Sequence, residues 1–98
     1  MKTIIVKNFG SIISDKETGY SLLEELKKSL KGSDEIILDL EGVISMATFC
    51  SKQVFGSLYL ELGAEMFFSK IKFKNATNDV LAIIKIGIQS ALEEFDKK

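Results

Sequence analysis

The sequence predicts an α/β fold: a mixed four-stranded sheet, opened by a hairpin and continued by alternating helices and strands, covered by about three helices. Three observations carry that prediction. Short β-branched runs recur between longer segments whose apolar residues fall at helical spacing. The run "DEIILDL" is apolar almost without interruption, the pattern of a strand buried on both faces and central in its sheet. Strands that alternate with helices need crossover connections, and these set successive strands parallel.

The first strand is "KTIIVK", bounded by Asn8 and Gly10; the short run "SII" follows and is expected to pair back on it as a hairpin. Ser14 and Glu17 have capping-box spacing, so a helix is expected to start there, carry Leu22, Leu23, Leu26 and Leu30 inward, and stop at Gly32. After the central strand, a second helix is expected from about Thr48 to Leu62, with Val54, Phe55, Leu58 and Leu62 facing the core and Gly63 ending it. "SKIKFKN" alternates strictly, placing Ile71 and Phe73 on one face and Lys70, Lys72 and Lys74 on the other. A last helix begins near Thr77 or Asn78, with Asp79 beside its positive end, and gives way to the polar tail "EEFDKK".

With 98 residues, the chain is read as one domain spanning residues 1–98. Its 46% hydrophobic and 28% charged residues suit a packed core without staples. Thirteen basic and fourteen acidic residues leave a net charge of −1, too weak a field to favour nucleic acid or an anionic membrane as partner. The one cysteine allows no internal disulfide and suits a reducing compartment. No apolar run reaches the length of a membrane span, and the one near the N-terminus is too short for a signal peptide, so a cytoplasmic location is expected. The absence of histidine removes the commonest general base and, with a single cysteine, the usual structural zinc sets. No metal, no cofactor and no catalytic activity are expected.

The stretch "DLEGVISMATFC" carries the candidate site, because it sets hydroxyl and thiol groups at a strand-to-helix junction. Thr48 has two compatible readings there. Its hydroxyl can cap the helix, or it can receive a phosphate, since a helix start offers free N–H groups and positive potential to an anion. Ser45 and Ser51 are weaker versions of the same idea. Cys50 reads better as a small buried apolar residue than as a nucleophile, since no histidine is present to act as its base. The Lys70, Lys72 and Lys74 row reads as the solvated side of an edge strand, guarding against unwanted pairing. Asp39 and Glu41 lie one strand step apart, with nothing in the sequence to complete a metal or acid–base site.

The segment "EIILDLEGVISMATFCSKQVFGSLYLELG" resembles the STAS domain, and more closely the bacterial STAS-like family, whose wider group includes the anti-sigma factor antagonists. The family's junction reads aspartate, serine, serine or threonine, then glycine. Here Ala47 stands where the aspartate is expected and Cys50 where the glycine falls, while the Thr48–Phe49 pair resembles the Ser-Phe pair of the STAS-like subfamily. The resemblance implies a regulatory module that docks a protein partner, a kinase-like ATPase or an anti-sigma-type regulator. Docking would run through Met46, Ala47, Thr48, Phe49, Ser51 and Lys52, with Thr48 the candidate phosphoacceptor. The competing expectation is a small-ligand binder or enzyme using the Thr48/Cys50 junction.

Overall fold

A computed structural model describes residues 1–96. Five strands form: β1 (Lys2–Ile5), β2 (Ile12–Ile13), β3 (Ile36–Asp39), β4 (Ser45–Met46) and β5 (Ile71–Lys74). They make two sheets rather than one, a three-stranded sheet in the order β1-β3-β5 and a two-stranded sheet of β2 with β4. All pairings among the described residues are parallel. The expected opening hairpin, and with it the mixed four-stranded sheet, is therefore replaced. "VKNF" forms a turn of 3₁₀ helix (Val6–Phe9) that carries the chain away from β1, so "SII" never folds back on it. Ile13 pairs with Met46 instead, four residues after the turn at Gly42.

β3 is central as its apolar sequence suggests, with a parallel neighbour on either side. The expected burial on both faces is corrected: Ile36 and Leu38 are buried, whereas Ile37 and Asp39, on the face no helix covers, are only half-buried. One face of the larger sheet bears Ile4, Ile36, Leu38 and Ile71 and is covered by helices. The other carries Thr3, Ile5, Lys72 and Lys74 exposed, so the alternation in β5 has its expected sense and β5 is an edge. Lys70 is not part of that row, because it ends the preceding helix.

Helix α1 (Lys16–Gly32) buries Leu22, Leu23 and Leu26. Its start lies one residue beyond the expected capping box: Asp15, not Ser14, is the cap, accepting the Thr18 N–H at 2.9 Å and the Thr18 hydroxyl at 2.7 Å. A carboxylate at that position meets both the free amide and the positive end of the helix. The next helix runs as one rod through α2 (Thr48–Ser51), a π-helical turn (Lys52–Gly56) and α3 (Ser57–Leu62), its backbone staying right-handed at each join. Gly63, at φ 84°, ends it in a conformation only glycine adopts cheaply.

A further short helix, α4 (Ala64–Lys70), was not expected from the sequence. Aromatic packing holds it: Phe67, fully buried, lies 5.4 Å from the Tyr59 ring and 6.3 Å from the Phe73 ring, tying α3, α4 and β5 together. Such ring pairs contribute about 0.5–1.5 kcal/mol each beyond the area they bury. Finally α5 (Asn78–Asp96) begins as expected, the Thr77 hydroxyl accepting the Val80 N–H at 3.1 Å. It extends through Glu93–Glu94–Phe95, which the sequence suggested was already tail; Lys97 and Lys98 lie outside the described residues.

Candidate functional site: the junction before the central helix

The junction is braced before it begins. At the end of β3 the Asp39 carboxylate accepts the Glu41 N–H at 3.0 Å and the Asn75 side-chain amide at 3.1 Å. Asn75 sits at φ 60°, a left-handed position that asparagine tolerates better than most residues. The amide bond from Asn75, and then the Glu41 N–H, hold the Asp39 carboxyl below its ordinary value. Asp39 and Glu41 thus fasten the exit of β3 to the exit of β5. Among the described residues no group of three His, Cys, Asp or Glu side chains is placed to hold a metal ion.

From there Leu40 and Val43 sink into the core, and the Ala47 N–H donates to the Ile13 carbonyl at 2.8 Å. The helix then starts at Thr48, but Thr48 does not cap it. Ala47 occupies the cap position, no side chain caps the helix start, and Thr48 is its first helical residue with an exposed side chain. The expected cap role for Thr48 is overturned, and its hydroxyl is left facing solvent.

Helical geometry then sorts the six expected partner-facing residues. Phe49 is 54% exposed, Thr48 is exposed and Lys52 half-buried. Ala47 is half-buried and packs against the core. Met46 and Ser51 are buried and offer a partner nothing, which corrects two of the six. Met46, in β4, points inward beside its pairing partner Ile13 of β2; Ser51 points inward because it lies where the central helix crosses α5, against the Ile83 carbonyl.

Ser51 is occupied by packing. Its hydroxyl donates to the Ile83 carbonyl at 2.8 Å, where the helix crosses α5 at close range. The approach depends on glycine: a methyl on Gly56 would stand 2.7 Å from Ala91 Cβ and 2.9 Å from the Gly87 carbonyl oxygen. Cys50 is equally enclosed. Its thiol donates to the Asp15 carbonyl at 3.4 Å, and burial, then the nearby Asp15 charge, push its pKa up. A thiol held protonated inside the core is the opposite of an activated nucleophile.

A groove lies beside Phe49 that sequence reasoning missed. About 310 Å³ in volume, it runs between the central helix and the end of α5, with Ala91 at its floor and Phe49, Leu60 and Phe95 around it. Leu60 is 41% and Phe95 63% exposed. Lys52 and Glu94 form an ion pair across it. The signal that could have revealed it is the position of Phe95 on α5, hidden when "EEFDKK" is read as tail.

A family described as a STAS-like domain of unknown function (DUF4325) matches residues 18–81, about two thirds of the chain, and the chain belongs to that family. The matched span runs from the first turn of α1 to the first turn of α5 and includes the whole junction. No curated protein and no solved structure matches the chain. No helix among the described residues is long and apolar enough to cross a membrane.

Proposed function

We propose that the chain is a non-catalytic regulatory module that works as the anti-sigma factor antagonists do, docking a kinase-like ATPase or a transcription regulator in the cytoplasm. The docking surface is Thr48, Phe49 and Lys52 together with the groove formed by Leu60, Ala91 and Phe95. The observation that carries this reading is Phe49. It stands more than half exposed on the first turn of the central helix, beside two further exposed apolar side chains. Clustered apolar surface with a polar rim is the usual mark of an interaction site. Thr48 is the switch in this reading. Its hydroxyl is exposed at the helix start, where a phosphate would add about −1.5 to −2 charges at the edge of the docking surface. The helix dipole tolerates that charge, so the fold survives while docking is blocked.

The test is affinity capture from cells that make the protein, with bound proteins identified by mass spectrometry. Wild type should retain an ATPase or transcription regulator. Phe49→Asp and Thr48→Asp should lose it at least ten-fold with unchanged melting temperatures. Equal capture by wild type and Phe49→Asp, or capture of no protein by any form, contradicts the reading.

A further inference from the structure

The central helix has a second grooved flank, turned toward α1 rather than α5, and nothing in the junction reading uses it. The groove is about 450 Å³. Its floor is apolar: Leu58 is buried, and Leu30 and Leu62 are half-buried beside it. Its rim is charged, with Glu24, Lys27, Lys28 and Lys31 from two turns of α1 facing Glu61 of α3. Those charges are unequally satisfied. Lys27 pairs with Glu61 at 4.0 Å, and Glu24 accepts the Tyr20 hydroxyl at 3.2 Å. Lys28 and Lys31 are exposed and enter no ion pair among the described residues. The rim therefore keeps free positive charge on a chain whose net charge is −1. The dipole of α1 accounts for lysine near a helix C-terminus. It does not account for the half-buried Leu30 and Leu62 lining a groove beneath them.

We infer that this groove takes an acidic amphipathic helical segment of a protein partner, with apolar side chains on Leu30, Leu58 and Leu62 and carboxylates meeting Lys28 and Lys31. The trough between two helices suits a helix laid along it, the apolar stripe down and acidic residues beside it. Opposite charge across the rim speeds encounter and excludes basic partners. A nucleic-acid backbone or anionic membrane fits less well, because Glu24 and Glu61 interrupt the positive rim and an extended phosphate surface cannot reach the leucine floor.

A photo-crosslinking amino acid at position 24 of the full chain, activated in cells that make the protein, tests this directly. The expected adduct is a protein whose attached peptide is acidic with apolar residues at helical spacing. Its yield should fall at least ten-fold in Lys28→Glu/Lys31→Glu and by a smaller factor in Lys28→Gln/Lys31→Gln. Both pairs lie on exposed positions, and unchanged melting curves confirm that the fold is intact. Four results each overturn the inference: no protein adduct, a lipid or nucleic-acid adduct, an attached peptide without acidic residues, or a yield indifferent to the charge reversal.

Discussion

Gly87 of α5 and Ser51 of the central helix meet backbone to backbone: a methyl group on Gly87 would stand 2.6 Å from the Ser51 carbonyl carbon and 2.7 Å from the Lys52 nitrogen. Neither atom belongs to a side chain that can swing away. With the Ser51 hydroxyl bonded to the Ile83 carbonyl, this contact fixes how the central helix is rotated, and hence that Phe49 faces out.

Gly87→Ala is therefore expected to destabilise the protein by about 1–3 kcal/mol, as overpacking does. Helix propensity alone predicts the reverse, a gain of up to about 1 kcal/mol. Gly32, the last residue of α1, has nothing within 4 Å of the corresponding position. Gly32→Ala should be neutral or stabilising by up to about 1 kcal/mol. Urea unfolding of both variants checks the pair.

Caps give a second comparison. Asp15→Ala should lower the melting temperature, since it leaves the Thr18 N–H unmet. Ser14→Ala and Thr48→Ala should change stability little, because neither side chain caps its helix. A loss on Thr48→Ala comparable to that of Asp15→Ala would return Thr48 to the cap position.

Asp39 sets an acid dependence. Its carboxyl is held below the ordinary value of 3.8 by Asn75 and then the Glu41 N–H. A depressed folded-state pKa adds stability that is complete above the unfolded value and disappears as pH falls through the folded one. Wild type should thus exceed Asp39→Asn in stability at neutral pH, with the gap closing below about pH 4. Melting temperatures of both proteins measured from pH 7 to pH 2 check this; a gap that widens toward acid contradicts it.

Cys50 should react with a thiol reagent only as fast as the protein opens, because the folded thiol is enclosed and its pKa raised. Labelling should be slow in buffer and immediate in denaturant. Rapid labelling of the folded protein at neutral pH would revive the small-ligand or enzyme reading of the junction.

Much of this was readable from sequence because it is local. The nearly continuous apolar run "IILDL" marked the central strand, the leucines of α1 marked its buried face, and Gly63 marked a stop. What was missed depends on distant partners. A two-residue strand such as Ser45–Met46 has no composition of its own and exists because Ile13 lies beside it. Whether "SII" folds back or travels on is decided by the 3₁₀ turn before it and by that remote pairing. The inward turn of Met46 and Ser51 has the same origin. One clue was available: Gly87 and Ala91, four residues apart in an otherwise bulky helix, mark a face made for close approach, and Gly56 is its counterpart.

Under the proposed function, the outward side of the junction is where a partner binds. Hydrogen exchange of the protein alone and with the captured partner measures this most directly. Slowed exchange is expected across residues 48–53 and in the last turns of α5 around Phe95. Slowing confined to the open sheet face around Ile5 and Lys72, with the junction unchanged, would contradict it.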